Sequence, residues 1–334
     1  MPFGVRHRPH PSRVVRVTRT RSFPVWAALL GSGLAGVLVA LQSRINGGLS
    51  QQLGNGYVTA AVSFGIGLLI MCAVLLLSRR GRVGFTRLRG ELRASRIPAW
   101  ALLGGAGGAL FVLSQGLVAP LMGLTLFTVG IVAGQVLGGL FMDRVGLGPG
   151  GRIDPTPTRI AGTVLAVIAV ALSAGLGGSA DHGPVWLILV PVFVGAGIAA
   201  QSMVNGLVRA ASQSAVTSTF INFVVGTALL GAAALVSIGI AGWPTNWPSE
   251  PYYYIGGFVG TIFIAVAAML VRTAGVLLLS MSNVAGQLIA AVAFELGAPL
   301  TGGLTQGMIA GTAVALLAVV VAALPWRGGP TTVR

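Results

Sequence analysis

The sequence of 334 residues contains no lysine, one cysteine, three histidines and only six acidic residues. Each scarcity excludes something. A lone cysteine, Cys72, forms no internal disulfide, so it says nothing about redox compartment. His7, His10 and His182 all lie outside the apolar runs. No His/Asp/Glu cluster has the pattern of a metal centre or a protease, so neither an enzyme nor a bound metal or cofactor is expected. There is no P-loop, which argues against direct drive by ATP. Charged residues make up only 8% of the chain, far too few to solvate the surface of a soluble domain of this size.

What the sequence has is apolar mass in long blocks. Apolar residues make up 54%, and the mean hydropathy is +0.89. Residues 25–41, 58–77, 99–118 and 121–142 carry no charge, and such runs approach or exceed the ~18–20 residues that span a hydrocarbon core. Continued along the chain, the pattern predicts helices over about 25–46, 57–78, 98–118, 121–142, 158–177, 184–205, 215–240, 252–271, 274–295 and 304–325. Prolines 24, 98, 120, 184 and 251 sit at or near helix starts, where a missing N–H costs least. Segments 79–96, 146–157 and 242–251 read as loops. The expected fold is an all-α polytopic membrane protein of ten transmembrane helices. Segment 1–23 imitates the start of a signal peptide, but the apolar stretch behind it is long enough to span and recurs later in the chain. It reads as a disordered basic tail before a retained first helix.

The net charge of +15 would point to nucleic acid if it were spread over a globular surface. It lies instead between apolar runs. With the N-terminus in the cytoplasm and one crossing per helix, 20 of the 21 arginines fall inside and only Arg44 falls outside. That is the positive-inside pattern of a multi-pass protein of a bacterial-type plasma membrane, with both termini cytoplasmic. The partners it implies are anionic lipid headgroups and a small-molecule substrate, with no nucleic acid, in a monomer or a homodimer.

The chain also repeats. Gln42-Ser43-Arg44-Ile45-Asn46-Gly47 matches Gln201-Ser202-Met203-Val204-Asn205-Gly206, 159 residues on. The same step pairs Ser63-Phe64 with Asn222-Phe223 and Gly67 with Gly226. Beyond segment 79–96 the step becomes 152, pairing Gly104, Gly108 and Phe111 with Gly256, Gly260 and Phe263, and Asp143 with Glu295. The first repeat covers 24–178 and the second 179–326, with a short cytoplasmic tail over 327–334. Five helices per repeat is an odd number, so two joined repeats cross in opposite senses. That is the inverted-repeat design of many secondary transporters.

The elements LQSRING and VSFGIG in the first repeat, echoed by AQSMVNG and INFVVG in the second, resemble the YdcZ-type family of the drug/metabolite transporter superfamily. The resemblance spans about 25–324 and takes the form of a fused pair of five-helix units. It implies a ten-helix transporter fold and the export or exchange of small organic molecules.

Polar residues within spans are the candidate pathway, because an unpaired amide is costly in hydrocarbon. Gln42 and Asn46 share a helix face, as do Gln201 and Asn205. Gly47 and Gly206 follow, where a helix can end or unwind. Ser63, Asn222, Gln115, Gln135 and Gln287 complete the set. Each reads either as a substrate contact or as a hydrogen bond between helices, with the second reading favoured for Ser63, Asn222, Gln115, Gln135 and Gln287. A substrate held by amides is neutral or weakly charged. Asp143 and Glu295 are candidates for proton coupling or gating, or are plain interfacial anchors. No carboxylate lies mid-span, unlike the small multidrug pumps of the same superfamily with their first-helix glutamate. The glycine pairs at 104/108, 130/134 and 256/260 read as packing contacts, with Phe111 and Phe263 beside the pathway or lipid. The leading reading is a secondary transporter working by alternating access. The alternatives are a transporter of lipid or lipid-linked metabolites, or a non-transporting scaffold docking through segment 79–96.

Overall fold

The computed structural model describes residues 25–146, 152, 154–175, 184–274 and 276–324. The basic segment 1–23, the tail 327–334 and the three histidines lie outside the described residues. Among the described residues the secondary structure is helical, with no strand.

The helices are α1 (Val25–Leu53), α2 (Gly56–Leu77), α3 (Arg79–Arg93), α4 (Gly105–Leu117), α5 (Ala119–Met122) and α6 (Leu124–Val145). They continue as α7 (Pro157–Gly175), α8 (Leu189–Ser212), α9 (Ala215–Ala241), α10 (Gly256–Ala274), α11 (Val276–Gly297) and α12 (Gln306–Ala323). Short 3-10 turns at Ala99–Gly104, Val185–Ile188 and Pro251–Tyr254 lead into α4, α8 and α10. Among the described residues, eight helical segments are long and apolar enough to cross a membrane: α1, α2, the turn plus α4, α6, α7, the turn plus α8, α9 and α12. The chain is an all-α polytopic membrane protein.

Two expectations are corrected. Segment 79–96 is not a loop, because α3 occupies most of it. Its Gly81, Gly84 and Leu88 lie on one helical face and are buried, while the arginines stay exposed. Nor do Gly47 and Gly206 end their helices. α1 runs on to Leu53 and α8 to Ser212. Gly47 is instead a close-packing position, where a Cβ would stand 3.0 Å from Leu300 Cδ1.

The helix ends follow the repeat. α1 gives way to α2 through Gly54, at φ +62°, and Asn55, whose side chain accepts from the N–H groups of Tyr57 and Val58. At the corresponding positions Gln213 takes φ +54° and Ser214 accepts from the Thr217 N–H. A left-handed glutamine is unusual; its own amide donates to Ala210 O at 2.7 Å.

Packing between the halves follows the same register. α1 lies along α10 and α11, α8 lies along α4 and α6, α2 faces α9, and α7 faces α12. Backbones approach so closely that a Cβ on Gly36 would overlap the carbonyl oxygen of Asn283, and one on Gly286 that of Gly33. With the halves exchanged, Gly195 sits on the carbonyl of Ile131 and Gly134 on that of Val192. Phe64 covers Gly226 and Phe223 covers Gly67, with the two rings 5.1 Å apart. Each contact thus has a partner at the 159/152 register.

These crossings leave no room for a methyl group. Gly36→Ala and Gly195→Ala are expected to cost about 1–3 kcal/mol each, seen as a lower unfolding temperature in detergent. Gly65 has nothing within 4 Å of its would-be Cβ, so Gly65→Ala should leave that temperature unchanged or raise it. Equal effects at all three positions would refute this packing account.

Candidate functional site

The polar residues singled out in the sequence gather into two clusters. In the first, Asn46 on α1 donates to Gln115 Oε1 at 2.6 Å, and Gln115 on α4 donates to Ser43 Oγ at 2.8 Å. Ser43 Oγ in turn donates to Val39 O at 3.0 Å, one turn back in α1. Gln42, from the same face of α1, lays its amide on Gly260, and Asn46 Oδ1 lies on Gly256, close to Ser63 of α2. These side chains are withdrawn from solvent: Gln115 is 0% exposed, Asn46 1%, Ser63 3% and Gln42 5%. Asn46 Oδ1 and Ser63 Oγ are buried without a hydrogen-bond partner, both facing the backbone of Gly256. A side chain at 256 would displace them, which is why the position requires glycine.

The second cluster is its counterpart at the repeat register. Asn222 on α9 donates to Asn205 Oδ1 on α8 at 2.8 Å, and Ser218 Oγ donates to Asn205 O at 3.3 Å. Gly104 faces both asparagine side chains, and Gly107 and Gly108 face Gln201. Gln201, Asn205 and Asn222 are each only half-buried, and Ser202 is exposed. Equivalent residues are thus sealed in one cluster and partly open in the other.

Gln287 joins neither amide cluster directly. It is buried on α11, donates to Asn283 Oδ1 at 2.6 Å, and lines a narrow crevice between α1, α4, α6 and α11. Ser43, Phe111, Phe127 and Thr128 share the wall, and the crevice is too narrow for a water molecule. Phe111 stacks on Phe127 with ring centres 6.4 Å apart. Gln135 is separate, half-buried where α6 crosses α8.

The two carboxylates part company. Glu295, 2% exposed near the end of α11, accepts from the Leu124 N–H, the first residue of α6, at 2.6 Å. A helix N-terminus favours an anion there, and Gly123 at φ +82° lets the carboxylate approach. Asp143 is instead half-exposed and accepts from Arg159 of α7 at 2.5 Å, while its neighbour Arg144 turns to Asp154.

Sequence reasoning did not single out the ties around Glu295. Arg44 Nε donates to Ala298 O at 2.7 Å and Gln51 Nε2 to Leu300 O at 2.8 Å, fastening α1 to the segment after α11. The repeat held a signal for them, since Arg44 and Gln51 correspond to Met203 and Ala210, which cannot make such bonds.

A family model described as "Putative inner membrane exporter, YdcZ" matches residues 27–172 and 186–325. The chain belongs to this family, within the drug/metabolite transporter superfamily, and is a multi-pass membrane transporter. No curated protein matches it. A crystal structure described only as "Crystal structure of protein" shares 19% identity over 91% of this chain and 98% of its own, with a TM-score of 0.55. That likeness concerns the fold alone.

Gln115→Leu removes both hydrogen bonds of the sealed relay and strands buried polar atoms, which costs about 1–3 kcal/mol. Asn222→Ala opens a pair that solvent can reach and should cost less than about 1 kcal/mol. Thermal unfolding of the purified variants in one detergent checks the order; an equal or reversed ranking refutes it.

Proposed function

We propose that this chain is a secondary transporter that exports small, neutral or weakly charged organic molecules by alternating access of two inverted five-helix repeats. In this reading the ten spans are α1, α2, α4 with its preceding turn, α6, α7, α8 with its preceding turn, and α9 to α12. Both termini are cytoplasmic, as the arginine distribution favours. Gln42, Asn46 and Ser63 then belong to the outer side and Gln201, Asn205 and Asn222 to the inner side.

One observation carries the proposal: register-equivalent amides differ in burial. The Asn46 cluster is closed over and the Asn205 cluster is partly open. Two repeats with reciprocal contacts can exchange their conformations, which would open the first cluster and close the second. The amides suit hydroxyl, carbonyl and amide groups of a solute and offer no fixed charge to an ionic one. The crevice by Ser43 and Gln287 lies beside the sealed cluster, on the path between the two ends. Glu295, Arg44 and Gln51 act as the outer latch. Asp143, the equivalent of Glu295, would exchange its Arg159 partner when the inner side closes.

Single cysteines at 46, 205 and 222, in a Cys72→Ser background, test this in proteoliposomes with a membrane-impermeant thiol reagent. Positions 205 and 222 are expected to label from the inner face and 46 to be protected from both. Glu295→Gln weakens the latch by removing its charge, and should raise outside labelling at 46 several-fold while lowering labelling at 205. Indifference of all three positions to Glu295→Gln and to every solute tried would defeat alternating access at this site.

A further inference from the structure

Helix α3 carries six of the 21 arginines of the chain. It begins after a single residue, Ser78, at the end of the apolar span α2. Its first turn therefore sits where hydrocarbon gives way to headgroups. Ser78 caps α3 by accepting from the Gly81 N–H at 3.1 Å, and Arg82 donates to Leu76 O at the end of α2. The junction is fixed by both bonds.

Charge on α3 is one-sided in sign. Arg79, Arg80, Arg82, Arg87, Arg89 and Arg93 are all exposed. The one acid of the helix, Glu91, is engaged by Arg96 at 3.0 Å. Val83 is exposed among the arginines, at 51%. An exposed arginine cluster with an interspersed apolar side chain at headgroup level is the composition of a membrane-surface helix.

The opposite face grips the other half. Thr217 Oγ1 of α9 donates to Gly81 O at 3.0 Å, Phe85 meets Phe220 edge-on at 6.1 Å, and Gly84 lies against Ser212 and Ser214. Leu88 packs with Val208 of α8. α3 thus straps the turn between α8 and α9, the helices that bear Asn205 and Asn222. The second repeat has no copy of this strap: the stretch between α9 and α10 is seven residues shorter in the register, and residues 242–250 are not helical.

We propose that α3 is a docking helix for anionic lipid headgroups, and that lipid held on its arginines steadies the α8–α9 turn beside the half-open amide cluster. Docking stands apart from the transport reading; only its effect on labelling at 205 rests on that reading.

The test uses the full chain in phosphatidylcholine vesicles with or without phosphatidylglycerol. A fluorophore on Val83→Cys, in the Cys72→Ser background, is quenched by spin-labelled phosphatidylglycerol or by spin-labelled phosphatidylcholine. The anionic quencher is expected to be enriched about fivefold at this site, less at high salt, and not at all in the combined variant R80Q/R87Q/R89Q/R93Q. That variant leaves Gly81, Gly84 and Leu88 intact, and its unfolding temperature checks that it folds. Equal quenching by the two lipids, or enrichment that survives in the variant, overturns the dock. Displacement of the anionic lipid by a DNA duplex at equal charge concentration overturns it in favour of nucleic acid. With docking established, labelling at 205 that does not differ between the two vesicle types overturns the strap's influence on the site.

Discussion

Helices in lipid gain little from apolar burial against one another, because the surrounding tails are as apolar as leucine. What holds this bundle together is close backbone contact, and glycine is the residue that permits it. Where α1 crosses α11 and α6 crosses α8, the carbonyl of one helix occupies the space a methyl group would need on the other. These two crossings bring α1, α6, α8 and α11 into the interior, and the amides of α1 and α8 come with them. Without that proximity Asn46 would not reach Gln115 or rest on Gly256, and Asn205 would not meet Gly104.

The same closeness explains why the polar residues are amides and hydroxyls rather than charges. A carboxylate in this setting needs a fixed partner, and Glu295 has one in the N-terminus of α6. Neutral amides need only each other. Their bonds can be exchanged for those of a solute at small net cost, because one set of hydrogen bonds replaces another. In the proposed transport reading, amides that exchange partners suit the route, while a latch requires the opposite, a bond that a passing molecule does not replace.

Much of the fold was legible because its constraints fall on residue types that stand out in sequence. Glycine at 134 marked the crossing of α6 with α8, glycines 104, 108, 256 and 260 marked the surfaces on which the amides rest, and the QSRING and QSMVNG elements marked the amides. Helix α3 escaped because its buried face consists of two glycines and one leucine, which a run of arginines conceals. The continuation of α1 and α8 past Gly47 and Gly206 escaped for a related reason: a helix-weakening glycine and a helix-packing glycine look alike until the neighbour, here Leu300, is in view. Of the candidate site, the pairings across helices were not legible. Gln115 has Ala267 as its counterpart, so the repeat gave no hint that it joins Ser43 to Asn46.

The seam where Phe64 covers Gly226 and Phe223 covers Gly67 is one contact made twice. Such a surface is self-complementary, and one repeat could form it with a second copy of itself. Joining the two units in one chain is therefore unnecessary for the seam; what it adds is freedom to differ. Two identical units must present the same residues at both ends of the molecule. In a fused chain Arg44 and Gln51 can fasten one end while Met203 and Ala210 leave the other without those ties, and a basic helix can be inserted on one side only. Fusion turns a two-fold object into a polar one, with ends that respond to different surroundings.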